Sequence, residues 1–201
     1  MHSERLKITV LMPAYNAGKY IREAITSVLE QTHREFELMV VNDGSTDDTV
    51  SVVLSFDDPR ISIINKEHEG IAEALNTGLQ LADSYYIARF DADDVCMPER
   101  LEKQFNFLED HPDYVLVGSD AEYIIENGDF LFSFKCIAHS NDEIQKNMYV
   151  YCPFIHSSVM YKKDEVVRAG GYNSNAHHFE DYLLWTSLAK MGKMQNLRES
   201  L

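Results

Sequence analysis

The sequence predicts an α/β fold: a mostly parallel sheet flanked by helices, continued by a mixed, antiparallel C-terminal part. Three observations carry this. Short unbroken apolar runs alternate with helical-period segments through the first half, an Asn-Gly pair divides two strand-like runs in the second, and a carboxylate cluster follows the fourth apolar run. Unbroken apolar strands are what a sheet covered on both faces requires.

Each element has its own justification. Ile8-Thr9-Val10-Leu11-Met12 is a strand stopped by Pro13. Tyr20, Ile21, Ala24, Ile25, Val28 and Leu29 recur at helical spacing and predict a helix from about Lys19 to Glu30. Phe36 to Val41 is the second strand, and Asn42-Asp43-Gly44-Ser45 is turn chemistry ahead of a helix through Val50, Val53 and Leu54. Ile61 to Ile64 is the third strand. A helix over Gly70–Ala82 carries Ile71, Ala74, Leu75, Gly78 and Leu79 on one side, and Tyr85 to Phe90 is the fourth strand. Pro98 opens a helix through Leu101, Phe105 and Leu108. Tyr114 to Val117 is apolar, and Asn127-Gly128 between Ala121–Glu126 and Asp129–Lys135 predicts a hairpin with a type I′ turn. A last helix runs through Leu183, Leu184, Leu188 and Met191 to a strand signal at Gly192-Lys193. With no linker, repeat or low-complexity tract, residues 1–201 read as a single domain.

Composition narrows the function. A chain of 201 residues that is 45% hydrophobic can build a core. Eighteen Lys and Arg against 33 Asp and Glu give a net charge of −15, which repels a phosphate backbone, so no nucleic-acid partner is expected. Three widely spaced cysteines, Cys96, Cys136 and Cys152, encode neither a disulfide framework nor a zinc site and suit a reducing cytoplasm. No membrane span is expected, and the charged start, Met1 to Lys7, lacks a signal-peptide pattern.

Open α/β sheets bind ligands at the carboxyl ends of their strands. Four loops therefore matter: Pro13–Gly18, Asn42–Asp48, Lys66–Gly70 and Asp91–Pro98. In the last, Asp91-Ala92-Asp93-Asp94 sets three carboxylates together, a costly arrangement without a cation. A Mg²⁺ or Mn²⁺ ion would relieve it, taking one or two carboxylates and completing its shell with phosphate and water. An Asp-rich turn capping the next helix is the plain structural alternative. No Gly-x-x-x-x-Gly-Lys-Ser/Thr loop is present, so a bound cation is the expected phosphate anchor.

The segments ITVLMPAYNAG (8–18), FELMVVNDGST (36–46), GIAEALNTGL (70–79), YIARFDADDVCMPERL (86–101), HSSVMY (156–161) and FEDYLLW (179–185) resemble, in order and spacing, the family 2 glycosyltransferases of GT-A fold. The resemblance implies a nucleotide-binding half over about residues 1–98 and an acceptor and catalytic half over about 99–201. Pro13, Ala14, Tyr15 and Asn16 match the loop against the nucleotide, with Tyr15 placed to stack; Asp43 matches the acceptor of a hydrogen bond from the base. Asn76, Asp91 and Ala92 fall at donor-side positions. Asp93, with Asp91 and His156, falls at the metal, although His156 read alone suits a satisfied core or surface residue equally well. Glu180-Asp181 matches the acidic pair whose second member is the general base; by pattern alone the two carboxylates would simply favour a helix N-terminus.

The same resemblance implies metal-dependent, inverting transfer from a nucleoside-diphosphate sugar, commonly a UDP-sugar, to a glycan or lipid-linked acceptor in polysaccharide or glycan biosynthesis. Its setting would be cytoplasmic, at the inner face of a membrane. Nothing in the sequence speaks to oligomeric state. Leu75 stands before Asn76 where the family has a basic residue, Asn42 stands where relatives often have aspartate, and the chain stops at Leu201 where relatives continue, as a truncated form would. Two other readings compete. A non-catalytic nucleotide-sugar-binding module would suit Leu75 and Asn42. The Asp91-to-Val95 segment also reads as the nucleophile motif of a haloacid-dehalogenase phosphatase, with Asp91 phosphorylated and Asp93 the acid.

Overall fold

A computed structural model describes residues 6–201; Met1 to Arg5 of the charged start lie outside the described residues. The chain runs β1 (Leu6–Ala14), α1 (Ile21–Leu29), β2 (Phe36–Asp43), α2 (Thr49–Leu54), β3 (Ile61–Lys66), α3 (Ile71–Leu81), β4 (Ser84–Arg89) and α4 (Arg100–Asp110). It continues through β5 (Tyr114–Ile124), β6 (Phe130–Phe134), α5 (Asn141–Asn147), a 3₁₀ turn (His156–Ser158), β7 (Met160–Lys162), α6 (Lys163–Arg168), α7 (Glu180–Leu188) and β8 (Lys193–Ser200).

The strands form one sheet in the order β3-β2-β1-β4-β7-β5-β6, with β8 beside β5. As the alternating periods predict, β1 to β4 are all parallel, with β1 at the centre between β2 and β4. The mixed part enters at β7, antiparallel to both β4 and β5, while β8 returns parallel to β5.

Alternation along each central strand divides the core in two. Ile8, Val10 and Met12 face α1 and α4 with Ile21, Ile25, Leu101 and Leu108. Leu11, Met39 and Val41 face the other side with Leu75, Leu79, Trp185 and Leu188. Helix α3 lies so close to β1 that a Cβ at Gly78 would sit 2.1 Å from Leu11 Cδ1, and Leu11 is fully buried and cannot yield. The Gly78 face seen in the sequence is thus a helix-to-strand contact.

Two expectations are corrected. The β5–β6 turn is not type I′, which needs positive φ at both central residues. Only Gly128 is positive, at φ 87°; the Gly128 N–H donates to Ile125 C=O at 2.8 Å, and the Ile125 N–H to Asp129 C=O at 2.9 Å. That is a type I turn closed by a glycine bulge, selected because Asn127 spends its side chain on the Asp129 backbone N–H at 3.0 Å. Helix α7 stops at Leu188 rather than reaching Met191, because the N–H groups of Lys190 and Met191 bind Ser187 and Leu188 C=O three residues back and tighten the last turn.

Candidate active site

The loops at the carboxyl ends of β1, β2 and β3 are knotted together by side chains. Asn16, at φ 50°, accepts from Thr46 N–H at 2.9 Å and gives its own N–H to Ser45 Oγ at 2.9 Å. The next two N–H groups bind Thr49 Oγ1 and Asp47 Oδ2. Pro13 and Ala14 are buried at the strand end, whereas Tyr15 is 48% exposed and its ring stacks on His68 at 4.0 Å and 16°.

Asp43 organises this corner. Its buried carboxylate receives Lys66 Nζ at 2.9 Å, His68 Nδ1 at 2.8 Å, and the N–H groups of Glu69 and Gly70 at 3.0 and 2.8 Å. Burial opposes ionisation, but these donors outweigh it and hold the carboxyl below the ordinary aspartate value. Gly70, at φ 96°, is the residue through which the chain turns into α3. Asp43 therefore fastens the Lys66–Gly70 loop, a role the turn chemistry of its neighbours did not reveal.

Asn76 is likewise committed to the chain. Its Nδ2 donates to Tyr172 C=O at 2.8 Å and its Oδ1 accepts from Tyr172 N–H at 2.9 Å, tying α3 to the segment before α7.

The carboxyl end of β4 is different in kind. Arg89, only 2% exposed, ends the strand and donates through Nη1 to Asp91 Oδ2, while its Nε has no partner among the described residues. Its charge reaches Asp93, His156, Tyr161, Tyr172 and Asp181, so this one buried guanidinium is common to the β4 loop, the 3₁₀ turn and α7. Ala92 is buried beneath the loop. Desolvation, then the charges of Asp91 and Asp94, push the Asp93 carboxyl above its ordinary value although its side chain reaches the surface. Burial, reinforced by Arg89, drops His156 well below the ordinary histidine value, leaving a neutral imidazole whose Nε2 lies 3.3 Å from Tyr172 Oη.

Asp181 sits in the first turn of α7 beside buried Glu180. Burial and Glu180 raise its pKa despite Arg89 and the Tyr182 N–H bound to Oδ1 at 2.7 Å. Among the described residues, Oδ2 faces the Cys152 thiol at 4.0 Å. Burial pushes that thiol up to about 11, so it stays protonated.

Residues 9–165 match the model of glycosyl transferase family 2. The chain belongs to this family. An uncharacterized glycosyltransferase of Haemophilus influenzae is 34% identical to it over 202 residues, covering 98% of this chain and 74% of the relative. The amylovoran biosynthesis glycosyltransferase AmsE of Erwinia amylovora is 32% identical over 92% of this chain and 70% of its own length. Among solved structures, S. aureus TarS 1-349 in complex with UDP-GlcNAc superposes with TM-score 0.80 at 21% identity, covering 96% of this chain. The mannosyltransferase PcManGT of Pyrobaculum calidifontis, in complex with GDP-Man and Mn²⁺, gives 0.74 at 23% identity over 98% of it. The chain spans 56% of each of those two solved chains. The shared architecture is the GT-A fold.

Family 2 membership displaces the phosphatase reading of Asp91. In this candidate site, Arg89 is the residue the sequence pattern did not single out; its signal was an arginine inside an otherwise apolar strand, two positions before the carboxylates. Among the described residues no three His, Cys, Asp or Glu side chains gather as a metal cage. Among the described residues, too, no helix is long and apolar enough to cross a membrane.

Proposed function

We infer that the protein moves a sugar from a nucleoside-diphosphate donor to an acceptor hydroxyl, with inversion, and that the β4–α7 corner is where it does so. The observation that carries this is Asp181: a partly buried carboxylate, raised in pKa, with one oxygen open to the site. A base whose pKa lies nearer the operating pH accepts a proton more effectively. Asp181 Oδ2 takes the acceptor hydroxyl's proton as the oxygen bonds to the anomeric carbon, and the bond from that carbon to the diphosphate oxygen breaks on the opposite face.

A divalent ion fits the corner. Asp93 is raised by desolvation first and then by the charges of Asp91 and Asp94, and a cation relieves both. With no three-ligand cage, Asp93 would hold the ion with support from Asp91 and His156, the remaining positions going to donor phosphate and water. When bound, Mg²⁺ or Mn²⁺ would supply Lewis-acid stabilisation of the departing nucleoside diphosphate. His156, neutral and half-buried, can serve as a ligand without losing a proton. Tyr15, already stacked on His68, offers its exposed face to a base, while Asp43 would have to share a carboxylate that already accepts four bonds. Support for a UDP- or GDP-sugar donor comes from the ligands of the TarS and PcManGT structures, and for polysaccharide assembly from the name of AmsE.

The test is thermal melting across a panel of UDP- and GDP-sugars with Mn²⁺ and with EDTA. A donor at about 100 times its dissociation constant adds about 2.7 kcal/mol of stability. The Mn²⁺-dependent shift should vanish in Asp93→Ala. Equal shifts in EDTA, or none with any donor, would overturn the reading.

A further inference from the structure

Asp43 has no lone pair left for a nucleotide base. A carboxylate offers about four acceptor positions, two on each oxygen. Here Oδ1 takes Lys66 Nζ at 2.9 Å and the Glu69 N–H at 3.0 Å, and Oδ2 takes His68 Nδ1 and the Gly70 N–H, both at 2.8 Å. The loop that supplies these donors is pinned. Lys66 Nζ also binds Glu67 C=O at 2.9 Å and Glu69 Oε2 at 2.7 Å. Gly44, at φ 75°, brings the end of β2 so near that a Cβ there would sit 2.8 Å from His68 N.

His68 carries the effect of Asp43 outward. Its Nδ1 lies 2.8 Å from Asp43 Oδ2 and 3.1 Å from Asp43 C=O. Both are acceptors, so the proton sits on Nδ1 and the ring is held by its edge. Tyr15 lies flat on that ring, 4.0 Å away at 16°. The three residues form a column: Asp43 holds His68, His68 backs Tyr15, and Tyr15, 48% exposed, turns its other face outward. A base stacked on that face is the third layer. Two such spacings separate it from the plane of His68, to whose edge Asp43 is bonded, and that exceeds the reach of a hydrogen bond.

The family resemblance gives Asp43 the task of accepting a hydrogen bond from the base, and this geometry points elsewhere. We propose, on the reading of this rim as a nucleoside-diphosphate site, that the donor's base is selected through its face rather than its edge. His68 is then the specificity-determining residue that backs Tyr15, and Asp43 is a positioning residue that acts through His68 without touching the base. A hydrogen bond to the edge rejects any analogue that lacks the group, whereas stacking tolerates every base because each has a π-face. The site therefore takes pyrimidine and purine nucleoside diphosphates alike.

Isothermal titration with Mn²⁺ present, using UDP, UDP methylated on the uracil imide nitrogen, and GDP, tests this. The methylated form and GDP should each bind within about tenfold of UDP. His68→Ala should weaken UDP and GDP alike by about tenfold, with an unchanged melting profile. His68→Phe, which keeps a ring behind Tyr15, should recover most of that loss, and His68→Gln, which keeps a donor for Asp43 but no ring, should not. UDP that methylation weakens beyond about tenfold, GDP weaker than UDP by more than that, or a phenylalanine variant no better than alanine would overturn the column while leaving the nucleotide site standing. No heat from UDP or from GDP would remove the nucleotide site itself, and the column with it.

Discussion

Two carboxylate centres lie at the same rim of the sheet, and they are built on opposite principles. At the end of β2, Asp43 has four donors around one buried carboxylate and a pKa below the ordinary value. Beyond β4, buried Arg89 binds Asp91 and its charge reaches Asp93 and Asp181, yet both Asp93 and Asp181 are pushed up, chiefly by burial. A satisfied carboxylate stabilises the fold and has little left to offer a ligand. A group of under-compensated carboxylates costs stability and gains it back when a cation or a proton arrives. The contrast makes the β2 corner a latch on the loops at this rim, and it is the reason the proposed chemistry is assigned to the β4–α7 corner.

The sharpest way to break that contrast is Asp181→Asn. Transfer should fall about 10²–10⁴-fold in kcat while donor affinity changes little, because the lost group acts on the acceptor's proton. In the wild type the ionised form is the active one and its pKa is raised, so the rate should decline with falling pH at values above those of an ordinary aspartate. Near-normal transfer by the variant in a radiolabelled-sugar assay would remove Asp181 as base, whereas donor binding without transfer by the wild type would leave the binding-module reading.

Arg89→Met comes next. It leaves the carboxylates facing one another without their shared cation, and breaking a buried pair from one side costs about 3 kcal/mol. Urea unfolding should show that loss, and the acid limb of the rate profile should move further up as Asp181 loses a stabilising charge. A stability change within about 0.5 kcal/mol would mean that Arg89 is not the common counter-ion.

How far the sequence disclosed this depends on the range of each signal. The alternation of β1 to β4 with α1 to α3 was legible because a period is a local property, and β1, β2 and β4 are buried on both faces while edge strand β3 is half-buried. The turn at Asn127-Gly128 was placed correctly but given the wrong type, since the dipeptide fits two geometries and the Asn127 side chain decides between them. The commitments of Asp43 and Asn76 were not legible at all. Their partners lie 23 to 27 and 96 residues away, and no pattern within one element shows that an amide is paired with Tyr172. Arg89 was hidden for the complementary reason: its neighbours in the strand are apolar, and its partners come from three separate segments.

Asp43→Asn measures the latch. Halving the carboxylate's acceptor strength should cost about 1–3 kcal/mol, with Lys66 and His68 left short of a partner. Because the folded-state pKa is lowered, Asp43 contributes its full stabilisation above the ordinary value of 3.8 and loses it as pH falls through the folded value. The gap between wild type and variant in urea melts should therefore be widest near neutrality and close in acid. A constant gap would assign the loss to packing rather than charge.

The smallest effect has the opposite sign, which is why it tests the contrast most cleanly. Asp93 has a raised folded-state pKa, so its contribution to stability is present below the unfolded value and is lost as pH rises through the folded one. At neutral pH, in EDTA, the ionised carboxylate is a burden on the fold, and Asp93→Asn should melt slightly higher than wild type, by less than about 2 °C because the side chain reaches solvent. With Mn²⁺ and a nucleotide sugar the order should invert, since only the wild type can hold the ion. A variant that melts lower in EDTA would show that the β4 corner is satisfied as it stands, and the difference between the two rims would then lie in position alone.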